Sequence, residues 1–414
     1  MIYIIGSGFS GLVTAFALSK KYKNITIISP SKNDKIKKFP ILIKYLFNLS
    51  GEINFNNKIV RQKISNFETN KYKNCKFITS YQDGGLSNIW GGVLSNNHEY
   101  NIKNFPFNQN NIKKIESEFI KLEKIIFNKN FKHNENIQKI NDCLNLLKFN
   151  RKNSNVDNLK KFLLNKNINF KYNYYLKKII HKKQKILLQD LIKNKEKILS
   201  YEKVYIAAGP INTAKIILNS FSNFTSIKLF ETRHFFCVVK NNLKLKNVKY
   251  LNFKHKKIKF YTQLYSLNDI AKIFLNFKNF NFLNKYSVAQ CYLDTKNSGY
   301  IEIKKTGNSK FTFTGIEKIS LKKKISEALN SYNLKNKKFK FFFPKMNSIG
   351  ASNHIGASFP MSKKKGKFKT KLDGQLYGYK NVFISDSSVL NEVDMQPITT
   401  FSLMNILRMN SKRQ

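Results

Sequence analysis

The chain opens on a short apolar run, Ile2-Tyr3-Ile4-Ile5, which reads as a buried strand. Three glycines follow in Gly6-Ser7-Gly8-Phe9-Ser10-Gly11, and Leu12, Val13, Phe16 and Ala17 then fall at helical spacing. Ile25-Thr26-Ile27-Ile28 is a second strand, so residues 2 to 28 predict a βαβ unit with a tight glycine turn. A stretch rich in Asn and Lys then runs to about residue 78 without a readable period. From about residue 110 to 165 the pattern is helical: Ile112, Ile115, Phe119, Leu122 and Ile126 recur at three- and four-residue steps. Residues 169 to 207 predict strands at Phe170 to Tyr175, Lys185 to Leu188 and Lys203 to Ala208. Between about 235 and 345, Tyr286 to Tyr292, Tyr300 to Lys304 and Phe311 to Thr314 alternate as the strands of an antiparallel sheet do. The tail returns to turn, strand and helix, with Asn381 to Asp386 as the strand, and no repeat of fixed period is present.

At 414 residues the chain exceeds the usual single-domain size, which predicts two intertwined domains. The expected fold class is α/β: a Rossmann-like, doubly wound domain with an inserted α+β domain that carries the antiparallel sheet. The formal net charge is +51, from 75 Lys and Arg against 24 Asp and Glu. Such an excess ordinarily points to a polyanionic partner. Its character argues otherwise. Arginine occurs only at Arg61, Arg151, Arg233, Arg408 and Arg413, and the lysines are scattered among Asn, Ile and Phe along the whole chain. Readers of phosphate and base edges favour arginine concentrated on one face. Diffuse Lys and Asn is what AT-rich coding imposes on any protein, so no specific nucleic-acid partner is expected. The runs Lys322-Lys323-Lys324 and Lys363-Lys364-Lys365 are expected to be solvated loops or helix faces.

Cys75, Cys143, Cys237 and Cys291 stand far apart without CxxC spacing, so neither a metal site nor a disulfide framework is expected. No stretch approaches the roughly 18 uninterrupted apolar residues of a membrane span. The strand at Ile2 leaves no room for a basic leader, and the expected location is cytoplasmic.

Gly6, Gly8 and Gly11 have separable tasks in a dinucleotide-binding turn. The first permits the sharp strand-to-helix turn, the second lets backbone approach a pyrophosphate, and the third lets helix pack on strand. The start of the helix then offers N–H groups and a positive dipole end to the anion. An acidic residue commonly ends the second strand and bonds the adenosine ribose. Here that place falls at Ser29, with Pro30 following and Asp34 the nearest acid.

Four separated segments together resemble the glucose–methanol–choline oxidoreductase family of flavoenzymes. The first is the glycine turn. The second, Gly84-Gly85-Leu86-Ser87-Asn88-Ile89-Trp90-Gly91-Gly92, is similar to the family loop that lies along the flavin ring; its Trp90 resembles the sugar-oxidising, pyranose oxidase-like branch. Some members tether FAD through a histidine where this chain has Ile89, so the resemblance implies non-covalent FAD. The third is Ala207-Ala208-Gly209-Pro210 and the helix after it, with Ala214 and Phe221 departing from the usual residues. Downstream, Arg233-His234 resembles the family's Gly-Arg-(Asn/His) element, but the Asp-His that often follows is replaced around Cys237 and Val238. The fourth, His354-Ile355-Gly356-Ala357-Ser358-Phe359-Pro360-Met361, is similar to the family's His-x-x-Gly-Thr-x-Arg-Met, with Ala357, Ser358 and Pro360 as departures. The stretch Asp373 to Ser388 follows the family's closing strand, and Gln396-Pro397-Ile398-Thr399-Thr400 resembles its Asn-Pro-x-x-Thr helix start.

The resemblance implies a flavin domain from 1–100, 169–225 and 346–414, and a substrate domain from 101–168 and 226–345. It places FAD against Gly6, Gly8, Phe9, Ser10, Gly11, Ser29, Gly85, Ser87, Asn88, Gly91, Ala208, Gly209, Asp386, Ser387, Pro397 and Ile398. It implies oxidation of a CH–OH group of a sugar, polyol or other alcohol by hydride transfer to flavin N5, with an electron acceptor the motifs do not name. His354 takes the place of the base, for which an imidazole is suited. Gln396 stands at the second family position, where an amide can bond a hydroxyl but cannot accept its proton. Asp386 faces the cofactor on this reading; the alternative is a carboxylate that caps the next turn. Trp90 is either a substrate contact or core. Three rival functions stay open: a redox-neutral flavoenzyme, a non-catalytic member with altered motifs, and a basic polyanion-binding protein.

Overall fold

The computed structural model describes residues 1–32, 51–54, 58–88, 109–127, 136–141, 144–148, 156–241, 249–255, 258–268, 281–318, 320–337, 339–393, 395–396 and 398–410. Its first sheet has five parallel strands, in the order Val382–Ile384, Lys203–Ile206, Ile2–Ile5, Ile25–Ile28, Asn169–Lys171. Ile2 to Ile5 and Ile25 to Ile28 are buried at every position. Strands covered on both faces need such continuous apolar runs, and parallel sheets are covered in this way. The helix Phe9–Leu18 packs on this sheet beside three others, Gln109–Phe127, Val156–Asn165 and Ile398–Asn410. Ile115, Phe119, Leu122 and Ile126 supply the buried stripe of the second helix, as its period predicts.

The helix Pro210–Ser220 packs instead on Tyr174–Ile180, the outer strand of an antiparallel three-stranded sheet with Lys185–Asp190 and Glu196–Ser200. A second five-stranded sheet runs in the order Ile355–Gly356, Ser226–Glu231, Tyr300–Gly307, Lys310–Ile316, Thr69–Lys73. A seven-stranded antiparallel sheet runs Lys340–Met346, His234–Lys240, Tyr286–Leu293, Ile258–Ser266, Lys249–His255, Leu144–Lys148, Asn136–Asn141. Phe235, Phe253, Phe260 and Phe341 pack with Ile325 and Leu329 of the helix Leu321–Lys335 to form its core. Lys322, Lys323 and Lys324 are exposed on that helix, and Lys363 to Lys365 are exposed in a bend.

Several predicted elements are redrawn. Segment 110–165 is not all helix: the strand pair Asn136–Asn141 and Leu144–Lys148 interrupts it. Runs this short do not separate strand from helix by period alone. The helices on either side of the pair lie with the first sheet, whereas the pair joins the seven-stranded sheet. The single antiparallel sheet predicted for 235–345 is two sheets, because Tyr300–Gly307 and Lys310–Ile316 pair with Ser226–Glu231 and Thr69–Lys73. The strand predicted at Phe170 to Tyr175 breaks at Asn173, whose φ of 66° is left-handed, and splits between two sheets.

Candidate active site

A cavity of about 770 Å³ opens where the carboxyl ends of Ile2–Ile5, Ile25–Ile28 and Lys203–Ile206 meet the second five-stranded sheet and the seven-stranded sheet. That volume is in the upper part of the roughly 300–1,000 Å³ range of ligand pockets.

One end of the cavity is a glycine cradle. Gly6 has a φ of 107°, and a Cβ there would lie 2.4 Å from the carbonyl oxygen of Ala207 on the neighbouring strand. A Cβ on Gly11 would lie 1.9 Å from the carbonyl oxygen of Gly6, so the helix packs directly on the turn. Gly8 is different: the nearest atom to a Cβ there is 3.6 Å away, and the residue lines open cavity. Gly8 also caps the helix Phe9–Leu18 without a side chain. Gly209 does the same for Pro210–Ser220, with a φ of 80° and no atom within 4 Å of a Cβ. Two helix starts on neighbouring parallel strands thus face one space, with their backbone donors and dipole ends toward it.

Polar side chains knit this end from behind. Ser7 donates to Ser29 Oγ at 3.0 Å and accepts from the Gly84 N–H at 3.2 Å, and Ser29 donates to the Ser31 carbonyl at 3.3 Å. This serine chain occupies the place of the acidic residue, and Ser29 still lines the cavity. Lys215, fully enclosed, donates to Glu68 at 2.6 Å and to Tyr81 at 2.9 Å, while Tyr175 donates to the other Glu68 oxygen at 2.5 Å. Tyr81 and Tyr175 line the cavity, so the buried ion pair fixes that wall.

At the other end the wall is made of side chains. Gln263 and Tyr265 on one strand and Gln290 and Tyr292 on its neighbour face the cavity, with Gln263 opposite Gln290 in register. Tyr265 donates to Gln263 Oε1 at 2.7 Å, which leaves the Gln263 amide N–H groups to donate. His354 lines this end, its ring stacked on Tyr292 with centroids 4.6 Å apart. Tyr292 is also stacked with His234, with centroids 5.6 Å apart. Loss of water lowers the pKa of His354 to about 4 and that of His234 to about 3, so both rings are neutral near pH 7. His354 Nδ1 is enclosed and has no hydrogen-bond partner. Among the described residues no Lys, Arg, Asp or Glu lines the cavity, although the chain carries 75 Lys and Arg.

The structure gathers most of the predicted site residues. Gly6, Gly8, Phe9, Ser10, Ser29, Gly85, Ser87, Ala208, Gly209, Ser387, Ile398 and His354 all line the cavity. Gly11 does not; it acts through packing. Asn88 turns away to donate to the Asp83 carbonyl at 2.7 Å, and the Ser87 hydroxyl bonds the Gly84 carbonyl. The Asp386 carboxylate accepts from Thr213 at 2.6 Å and from the Ser388 N–H at 2.9 Å, capping a turn, and is not among the cavity-lining residues. Those donors hold it against burial, which raises its pKa. Gln396 is buried and is not among the cavity-lining residues. Ile89, Trp90, Gly91 and Pro397 lie outside the described residues. The motifs missed Gln263, Tyr265, Gln290 and Tyr292; their only sequence signal is a polar–aromatic pair at i and i+2 on each strand, which puts both on one face.

No family model matches the chain, and no curated protein matches it in sequence. Among solved structures the chain is similar to pyridoxine 4-oxidase from Mesorbium loti, with a TM-score of 0.63 and 8% identity. The likeness covers 99% of this chain and 98% of the oxidase, so the two share an overall fold from end to end.

Proposed function

We propose that this chain is an FAD-dependent oxidoreductase of the glucose–methanol–choline type, oxidising a CH–OH group of an uncharged sugar, polyol or other alcohol. One observation carries the proposal: a single cavity joins two helix starts that no side chain caps, at one end, to a neutral histidine at the other. The full-length likeness in fold to an oxidase supports it.

The residues fit a flavin dinucleotide. Gly8, Gly85 and Gly209 leave the space that a pyrophosphate and a flexible chain need, and the helix starts at Phe9 and Pro210 supply N–H donors for the anion. Ile89 cannot form the tether, so the cofactor is held non-covalently. When bound, FAD supplies the hydride acceptor.

His354 takes the hydroxyl proton. With Nδ1 enclosed, Nε2 is the ring nitrogen left to exchange it. A pKa near 4 keeps the ring in its base form, and any negative charge developing beside it would raise that pKa and favour proton uptake. Tyr292 fixes the plane of the ring by stacking, and the Gln263 and Gln290 amides orient the remaining hydroxyls. Among the described residues the histidine end of the wall carries no formal charge, so a phosphate, carboxylate or ammonium group on the substrate would find no counter-ion there and would be costly to strip of water.

The protein is expected to purify yellow and to release intact FAD on acid precipitation. It should bleach anaerobically with a neutral sugar or polyol and not with its 6-phosphate or uronate counterpart. A colourless protein that cannot be reconstituted with FAD sinks the cofactor assignment. Flavin that stays bound yet is bleached by no alcohol in the panel favours the redox-neutral or non-catalytic reading.

A further inference from the structure

A general base in an enclosed site is usually oriented by a third group bonded to its second ring nitrogen. Among the described residues His354 has no such group on Nδ1, so its aim must come from elsewhere. Its backbone is fixed at both polar atoms. The His354 carbonyl accepts the Thr232 N–H at 3.2 Å, and the His354 N–H donates to Ser352 Oγ at 3.3 Å. Ser352 in turn donates to Glu231 Oε2 at 3.2 Å, and the same oxygen accepts the Gly350 N–H at 2.7 Å.

Glu231 ends the strand Ser226–Glu231, lies opposite Ile355 in register, and is completely buried. A carboxylate there is costly, and burial raises its pKa to about 7. A turn that needed only to close would not require it. The chain is left-handed on both sides of the histidine: Asn353, in the turn, has a φ of 60°, and Ala357, just past the strand Ile355–Gly356, has a φ of 54°. Such a turn needs an outside clamp to hold one conformation, and Glu231 accepts bonds from two of its residues.

We infer that Glu231 is a positioning residue for the base: through Gly350 and Ser352 it clamps the turn 350–354 and so aims the His354 ring from its backbone side, while Tyr292 aims it from its face. This rests on His354 being the base, yet the clamp can be tested without a substrate and without bound flavin. The full-length protein is labelled with ¹⁵N-histidine, and the His354 ring signals are assigned by their loss in His354→Asn. In the wild type they are expected to titrate at about 4. Ser352→Ala and Glu231→Ala free the turn, admit water to the ring, and shift that titration upward by roughly one unit toward the ordinary histidine value. Glu231→Gln keeps an acceptor oxygen for both donors and leaves the His354 titration near the wild-type value. With an alcohol that bleaches the flavin, the two alanine variants lose about a hundred-fold in the limiting reduction rate, with KM changed far less, and Glu231→Gln recovers most of it.

An unchanged His354 titration in a folded Ser352→Ala protein overturns the inference, and that variant decides the matter if Glu231→Ala does not fold. A Glu231→Gln variant that matches Glu231→Ala also overturns it, since buried charge rather than the clamp would then be responsible. A colourless protein with shifted titrations would remove the flavin assignment and leave the clamp standing.

Discussion

At the glycine end of the cavity the wall is main chain: two helix starts, the turn Gly6 to Gly11, and a loop at Gly84-Gly85 whose backbone abuts Gly8. At the histidine end the wall is side chains contributed by two neighbouring strands and a strained turn. Each piece of the first end is local in sequence, and the end holds its shape because a side chain added at the packed glycines would collide with backbone. The second end exists only once two sheets have met. Its titratable group is His354, whereas none of the cradle glycines titrates. The first end is therefore expected to break by sterics and to ignore pH, and the second to break by chemistry and to follow it.

The largest effect belongs to the packed glycines. Gly11→Ala puts a methyl 1.9 Å from a backbone oxygen that cannot rotate away, so either the helix or the turn must move. That costs at least the roughly 1–3 kcal/mol of an overpacked core, and it displaces the cradle. Gly8→Ala meets nothing closer than 3.6 Å and should leave the melting temperature of the flavin-free protein unchanged. Its methyl projects into the space a pyrophosphate would fill, so flavin affinity should drop by about tenfold or more, about 1.4 kcal/mol. Melting curves and flavin titrations of both variants separate packing from binding. A Gly8→Ala protein that binds flavin as tightly as wild type would remove the pyrophosphate from this turn.

The same contrast explains what could be read before the fold was known. Gly6, Gly8 and Gly11 announce themselves because strand, turn and helix are consecutive and each glycine has one geometric task. His354 is legible only through its motif. Gln396 and Asp386 sit in equally good motifs, yet one is buried off the cavity wall and the other caps a turn. The buried Lys215–Glu68 pair joins residues 147 positions apart, and Glu231 meets its turn across 119 positions. Partners that distant leave no periodicity. The sheets were misdivided for a related reason: alternation reports that a strand has two faces, and says nothing of which sheet receives it.

Second in size is the loss of the base. His354→Ala should keep bound FAD, because the cradle is distant and largely backbone, and should slow anaerobic flavin reduction by about a hundred- to ten-thousand-fold. Stopped-flow reduction with any alcohol that bleaches the wild type checks this. Near wild-type reduction in His354→Ala would move the chemistry to another group at that end.

Third, the histidine end should carry a pH signature in stability. His354 titrates at about 4 in the fold and near 6.5 when unfolded, so between those values the unfolded chain binds more protons. Wild-type stability therefore loses a contribution as pH falls from 6.5 to 4, and an asparagine has no such loss. Compared with wild type, His354→Asn should gain stability progressively as pH falls through that window, by about 3 kcal/mol at its lower end. Denaturant melts at several pH values read the difference directly. A constant difference between pH 7 and 4 would mean that the folded ring is as well solvated as the unfolded one.

The smallest effect lies just past the turn, beyond the strand Ile355–Gly356. Ala357 takes the place of the motif glycine and carries a φ of 54°, a conformation that disfavours a Cβ by roughly 1–2 kcal/mol. Ala357→Gly removes that strain. Against this, the glycine loosens the unfolded chain, worth roughly 0.4–1 kcal/mol, and gives up a buried methyl worth at most about 0.8 kcal/mol. The terms nearly cancel, so the expected outcome is a stability change within about 1 kcal/mol, with flavin reduction unaltered because Ala357 does not line the cavity. Gly350, in the turn on the other side of His354, is the control. Its φ is 87°, and a Cβ there would lie 2.7 Å from the Lys76 carbonyl oxygen, so Gly350→Ala adds strain and collision together. It should destabilise by several times the Ala357→Gly change and should also loosen the Glu231 bond to its N–H. If Gly350→Ala proved as mild as Ala357→Gly, the turn would be soft, and the contrast between a backbone-built end and a clamped histidine end would have to be redrawn.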